Sequence, residues 1–224
     1  MERKALIASI VLNFFLLASV LGLAYGWPLF IHVKQLLPKR ERHVSFFATF
    51  PLEQRDVVFV GDGLIEEGPW SEIFPDVPVK NRGIAGDTTR DVALRIGQIA
   101  AGNPAKVFLM VGGKDAEAEH SVEQTSDEYA SILQRLKEDS PNTKIYVQSI
   151  LPRSIEESEA LQQRNEGIAR VARSAGAEFI DLFPAFVAED GGIRPDLSND
   201  KAHLLADGYM LWRDQVASRV QGQD

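Results

Sequence analysis

The sequence predicts an α/β protein, a single three-layer α/β/α sandwich built on about five parallel strands. Two observations predict this fold: short apolar, β-branched segments recur along the chain, and helical patterns separate them. Strands that are apolar along their whole length are covered on both faces, as in a parallel sheet between two layers of helices. The predicted strands are Val57–Val60, Val77–Asn81, Lys106–Val111, Lys144–Ile150 and Glu178–Leu182.

Four amphipathic segments supply the helices of the predicted sandwich. The first of them has a suitable N-cap in Asp87 and a stop signal in Gly102. Ahead of the first strand, three phenylalanines at near-helical spacing predict a further short helix that packs on the domain. Those phenylalanines are Phe46, Phe47 and Phe50, and the four predicted helices are Thr88–Ala101, Ser126–Glu138, Glu157–Ser174 and Leu204–Val220.

The beginning of the chain has a different composition. Residues 5–25 carry no charge, and about 20 apolar residues suffice to cross a bilayer. Trp27 and His32 fall where the membrane interface would lie. We favour a retained transmembrane helix over residues 1–33, and a cleaved signal peptide with a small-residue site at 22–24 is the alternative. A connector would follow at residues 34–51, and the folded domain at residues 52–224.

Charge and cysteine content exclude several classes of function. The net charge is −8, and residues 1–42 hold six basic and two acidic residues, which leaves −12 on the rest of the chain. An acidic body without a basic stripe argues against nucleic acid as a partner. The absence of cysteine excludes disulfides and thiolate chemistry.

Basic residues flank the apolar segment on both sides, so the positive-inside rule does not fix its orientation. The short N-terminal tail and the signal-like pattern favour a domain outside the cytoplasm, in a periplasmic or other extracytoplasmic position. The membrane is therefore one expected partner of the chain, through its N-terminal helix.

Four glycine-rich or polar segments follow predicted strands or precede the last helix. They are residues 61–63, 83–87, 112–115 and 200–203. In open parallel sheets, ligands bind outside the carboxyl ends of the strands. We therefore expect these four segments to form one site.

In chain order the same segments read VVFVGDGLIEEGPW, NRGIAGDTTRD, KVFLMVGGKD and NDKAHLLADGYMLW. Together they resemble the four sequence blocks of the SGNH (GDSL-type) hydrolases. The resemblance extends over residues 42–218 and is closest to the branch of lysophospholipase-like esterases and platelet-activating-factor acetylhydrolase catalytic subunits. It implies a flavodoxin-like SGNH fold and the hydrolysis of acyl or acetyl esters.

The resemblance also implies roles for individual residues. Gly86 would donate its backbone N–H to an oxyanion, and Asp200 and His203 would be the acid and the base. Gly63 stands where the family has its nucleophilic serine, and Lys114 stands where it has an asparagine that donates to the oxyanion. Glycine has no oxygen to acylate, so the usual covalent route is lost. A laboratory substitution would explain Gly63 but not Lys114.

Several interpretations stay open at this stage. Lys114 is a solvated partner of Asp115, a modified oxyanion donor, or a contact for an anionic ligand. Glu117, Glu119 and His120 lack the spacing of metal ligands on a helix, so no metal and no cofactor is expected. The protein is either a membrane-anchored esterase impaired by Gly63, with His203 activating water directly, or a pseudoenzyme that binds an ester, a lipid, a glycan or a partner protein.

Overall fold

The computed structural model describes residues 2–26, 30, 37–153 and 158–222. The chain divides into two compact units, residues 1–45 and residues 46–224. In the first unit, helix α1 spans Glu2–Leu21, and one π-helical turn, Gly22–Gly26, follows it.

The transmembrane helix predicted for residues 1–33 is not confirmed. Across the part of the chain that the structure describes, no helix has the length and apolarity needed to span a bilayer. Residues 27–29 and 31–33 of the predicted segment lie outside the described residues.

The second unit contains a five-stranded parallel sheet in the order β2-β1-β3-β4-β5. This is the doubly wound, flavodoxin-like order, and it confirms the predicted α/β fold. After the π-helical turn the elements are α2 Leu37–Thr49, β1 Val57–Gly61, α3 Gly63–Glu67, α4 Trp70–Ile73, β2 Val79–Gly83, α5 Thr89–Ala100, β3 Lys106–Met110, α6 Val122–Asp139, β4 Lys144–Gln148, α7 Ser158–Ser174, β5 Glu178–Ile180, α8 Phe183–Phe186 and α9 Ala206–Gln221.

The central strand β1 is buried on both faces, as the apolar run over residues 57–60 predicts. Successive side chains of a strand point to opposite faces of the sheet. Val58 and Val60 belong to the core under α5, α6 and α7, and Val57 and Phe59 belong to the core under α4 and α9. Helices thus cover both faces of the sheet.

Aromatic rings fill the second of these cores. The Phe59 ring stacks on Trp70 at 4.0 Å and on Phe108 at 4.9 Å between ring centroids. Trp212 of α9 meets Trp70 edge-on at 5.0 Å and donates its indole N–H to the buried Gln148 side chain at 2.7 Å. These contacts fix α9, and with it the end of the preceding loop, against the sheet.

Several predicted boundaries differ from the structure by two or more residues. Two of these differences have identifiable reasons. Strand β2 begins at Val79 instead of residue 77, because Pro78 has no N–H to donate to a strand ladder. Helix α6 begins at Val122 instead of residue 126, because Ser121 and Gln124 form a capping box there. The short helices α3, α4 and α8 were not predicted from the sequence.

Candidate active site

The turn after β1 contains two glycines with different surroundings. A Cβ on Gly61 would lie 1.9 Å from the carbonyl oxygen of Met110, so the close pairing of β1 and β3 requires glycine there. A Cβ on Gly63 would meet, among the described residues, only the Cα and Cβ of Ala85, both at 3.6 Å. That distance is ordinary van der Waals contact, so the fold does not require glycine at residue 63.

Asp62, between these glycines, caps helix α3. Its side chain accepts a hydrogen bond from the backbone N–H of Leu64 at 3.2 Å. Burial raises the pKa of the Asp62 carboxyl to about 6, although the Leu64 N–H and the nearby Arg153 guanidinium act in the opposite direction. A carboxyl that titrates near neutral pH therefore lies directly beside Gly63.

Asn81 of β2 holds α3 in place. Its side-chain amide donates to the carbonyl oxygens of Ile65, Glu66 and Gly68 at 2.8, 3.0 and 3.2 Å, and its carbonyl accepts from the Gly83 N–H at 2.9 Å. One side chain thus satisfies three carbonyl groups at the end of a helix of five residues. These hydrogen bonds fix α3 against β2, and with it Gly63, the first residue of α3.

The turn after β2 carries Gly86, the predicted oxyanion donor. Gly86 has a φ of +86°, in the left-handed region that favours glycine. The next residue, Asp87, forms an ion pair of 2.7 Å with Arg95, and both side chains are almost fully buried. Arg95 also donates to the carbonyl oxygen of Gly61 at 3.0 Å, which ties the Gly86 turn to β1.

The prediction that Asp87 caps helix α5 is wrong. Thr88 is the N-cap, and it forms a capping box with Asp91. Asp87 is engaged by Arg95 instead. The pattern of Thr88 followed three residues later by Asp91 is a capping-box signature, so the sequence did hold a signal for the correct cap.

Lys114, at the predicted asparagine position, is directed to Glu117. Its ammonium lies 2.8 and 2.9 Å from the two carboxylate oxygens of Glu117, and its side chain is 39% exposed. The interpretation of Lys114 and Asp115 as a solvated pair is therefore wrong. Asp115 is fully buried and accepts hydrogen bonds from the Thr89 N–H, the Thr89 hydroxyl and the Thr125 hydroxyl at 2.9, 2.7 and 2.7 Å.

Arg153 begins the segment 153–164, which the sequence placed at the border of the predicted site without assigning a role to the arginine. Its guanidinium donates to the carbonyl oxygen of Gly113 at 2.7 Å and lies 3.6 Å from the Glu117 carboxylate. Its side chain is only 17% exposed. The signal available in the sequence was a single arginine after β4 at the ligand-binding edge of the sheet.

Asp200 and His203 form a pair within one loop. The Asp200 carboxylate and His203 Nδ1 are 2.6 Å apart, and the backbone N–H groups of Ala202 and His203 donate to the other carboxylate oxygen at 2.9 and 2.8 Å. The His203 side chain, followed by these two N–H groups, holds the pKa of Asp200 well below its usual range. With Nδ1 facing the carboxylate, Nε2 is left for proton transfer.

Comparison with known proteins identifies the class of hydrolase. Residues 55–211 match the GDSL-like Lipase/Acylhydrolase family. The chain belongs to this family. It is 30% identical over 178 residues to the human platelet-activating factor acetylhydrolase IB subunit alpha1, covering 75% of this chain and 76% of that protein. It is 29% identical over 179 residues to the rat subunit alpha2, covering 75% and 77%.

Solved structures share the fold of this member of the GDSL-like Lipase/Acylhydrolase family. A protein from Streptococcus pneumonia described as a candidate platelet activating factor superposes with a TM-score of 0.77 at 23% identity, covering 91% of this chain and 99% of that one. A GDSL-like lipase from Bacteroides thetaiotaomicron gives 0.72 at 20% identity, covering 82% and 98%. At such low identities the likeness shows the fold alone.

Several contacts join the segments that carry or flank the predicted site residues. Gly63 faces Ala85 across the first two strand ends, and a Cβ on Gly113 would lie 3.5 Å from the Asp62 carboxylate. The Tyr209 hydroxyl, in the helix that follows the Asp200–His203 loop, donates to the carbonyl oxygen of Leu64 at 2.9 Å. The orientation of His203 toward Gly63 stays a prediction. Within the described residues, no three acidic or histidine side chains are grouped so as to hold a metal ion.

Proposed function

We propose that this GDSL-like acylhydrolase binds acyl or acetyl esters and hydrolyses them poorly, because Gly63 occupies the position of the family's nucleophilic serine. The observation that carries the proposal is the free space at Gly63, and the hydrogen-bonded Asp200–His203 pair supports it. In a serine hydrolase, loss of the nucleophile alone costs on the order of 10⁶ in turnover. The acetylhydrolase names of the relatives support acetyl esters as the substrate class.

The remaining groups provide a slower, non-covalent route. His203 would take a proton from a water molecule that occupies the space beside Gly63 as the water oxygen attacks the ester carbonyl carbon, and the Gly86 N–H would donate to the developing oxyanion. The protonated His203 would then give this proton to the leaving alkoxide as the ester C–O bond breaks. No acyl-enzyme forms on this route, so product release shows no initial burst.

The proposal is tested by restoring the nucleophile. We expect Gly63→Ser to raise kcat/KM for p-nitrophenyl acetate at least about 100-fold over the wild-type chain, because serine Oγ restores the covalent route. Gly63→Ala is the matched control, since it fills the same space without an oxygen and must not raise the rate. His203→Ala must abolish the gain in the Gly63→Ser background.

The second candidate is a pseudoenzyme that binds an ester, a lipid, a glycan or a partner protein. The ion pair of Lys114 with Glu117 favours it, because an ammonium held by a carboxylate is a poor oxyanion donor. If Gly63→Ser combined with Lys114→Asn hydrolyses no more ester than wild type, while methyl butyrate still binds, the protein is a binding module.

We also propose that residues 5–25 attach the chain to a membrane, with the domain outside the cytoplasm. The support is the uncharged run of 21 residues. The chain has no cysteine, so Ser131→Cys on the exposed surface of α6 introduces a single thiol. A membrane-impermeant maleimide added to intact cells must label this thiol if the domain is outside. The intact mass of the mature protein distinguishes a retained anchor from a cleaved signal peptide.

A further inference from the structure

We propose that Lys114 and Arg153 form a subsite for an anionic group on the ester, and that the Glu117 carboxylate marks the place which that group takes. The inference rests on the proposed function and adds a substrate class to it. The preferred ligand is an acyl or acetyl ester that carries a carboxylate or a phosphate.

The geometry around Glu117 is that of a bound carboxylate. One of its oxygens lies 2.8 Å from the Lys114 ammonium and 3.6 Å from the Arg153 guanidinium, and the other lies 2.9 Å from Lys114. Two cations therefore converge on one carboxylate. A carboxylate or phosphate from outside the chain would meet the same donors, and a guanidinium suits both of these oxyanions.

The subsite lies beside the position of the missing nucleophile. Arg153 is fixed there by its hydrogen bond to the Gly113 carbonyl oxygen. A Cβ added to Gly113 would lie 3.5 Å from the Asp62 carboxylate, and Asp62 directly precedes Gly63. An anion held by Lys114 and Arg153 would thus place the rest of its molecule at the end of β1.

Glu117 is suited to displacement by a ligand. Its side chain is 52% exposed, and that of Lys114 is 39% exposed. Exposed ion pairs contribute little to stability, so exchanging this carboxylate for another anion costs the protein little. Arg153 keeps its contact with Gly113 during the exchange, so one side of the subsite stays formed.

The test compares two esters of similar length in an equilibrium binding experiment. Monomethyl glutarate carries a carboxylate, and methyl butyrate is neutral. We expect the full chain to bind monomethyl glutarate at least about threefold more tightly by calorimetry, with the difference shrinking as ionic strength rises. Glu117→Gln removes the competing carboxylate and should lower the Kd of monomethyl glutarate about three- to fivefold. Lys114→Gln should remove the preference.

Lys144→Gln is the matched control. Lys144 is the first residue of β4, so it lies at the amino ends of the parallel strands, and the subsite lies at their carboxyl ends. The Kd of this variant for both esters should equal that of wild type. Equal affinity for the two esters, or a Glu117→Gln variant that binds monomethyl glutarate no better than wild type, overturns the subsite. Binding is measured without turnover, so a Gly63→Ser variant that fails to hydrolyse esters refutes the proposed function and leaves the subsite standing.

Discussion

Gly61 and Gly63 are two residues apart, and the fold constrains only the first of them. We expect Gly63→Ala to raise the free energy of unfolding by about 0.5 kcal/mol, because alanine restricts the unfolded chain and suits the first turn of α3. Gly61→Ala should lower it by about 3 kcal/mol or more, because its methyl group would overlap the Met110 carbonyl oxygen. Urea denaturation of the two variants measures both effects. A Gly63→Ala variant as unstable as Gly61→Ala would show that the turn requires both glycines.

Asp62 gives the stability of the protein a defined dependence on pH. The folded-state pKa of Asp62 is about 6 and the ordinary value is 3.8. At pH values between these two, the Asp62 carboxyl is protonated in the folded protein and ionised in the unfolded chain. The free energy of unfolding should therefore fall as pH rises from about 4 to about 6, and then level off. The decrease should be on the order of 3 kcal/mol.

Asp62→Asn should remove this dependence and keep the cap of α3, because asparagine is also a good N-cap. The measurement is the difference in unfolding free energy between this variant and wild type at several pH values from 4 to 7. A difference that does not change with pH would contradict the raised pKa.

At the scale of elements, the turn between β2 and α5 depends on a buried ion pair more than on its helix cap. Arg95→Met should cost about 3 to 5 kcal/mol, because the Asp87 carboxylate would stay buried after losing its ion pair with Arg95. Thr88→Ala, which removes one capping hydrogen bond, should cost about 1 kcal/mol. Chemical denaturation of the two variants compares them, and similar costs would refute this ranking.

The extent to which the sequence predicted these elements depends on the kind of interaction that forms them. All five strands were found. Strands β1 and β3 are almost entirely apolar, as expected for strands buried on both faces, whereas the edge strands β2 and β5 are partly polar and partly exposed. Helix α3 was missed because five residues are too few for helical periodicity, and its carbonyl groups are satisfied by Asn81, 13 to 16 residues away.

The same distinction applies to the site. The resemblance located Gly63, Gly86, Lys114, Asp200 and His203 by number. The partner of Lys114 was missed although Glu117 lies three residues further on in the same loop. The place of Arg153 was not revealed, because its contact with Gly113 joins loops after different strands. Local patterns carry no information about such contacts.

At the scale of the whole molecule, α9 connects the Asp200–His203 loop to the centre of the sheet. Trp212→Phe should cost about 1 to 3 kcal/mol, because it leaves the buried Gln148 carbonyl without its donor.

We expect one unfolding transition that coincides by circular dichroism and by tryptophan fluorescence, since both cores share the same strands. Two separate transitions would show that α9 detaches before the sheet unfolds.

The free space at Gly63 also bears on the history of the protein. Folding alone would preserve Gly61, because any side chain there overlaps the neighbouring strand. Folding exerts no such pressure on residue 63, where glycine and serine are both compatible with the backbone. An exchange between the two is therefore open to drift in either direction, and only selection on the chemistry of the site would hold one of them in a lineage. On the proposed function, the loss of the nucleophile would be a change that a single substitution can undo on this scaffold.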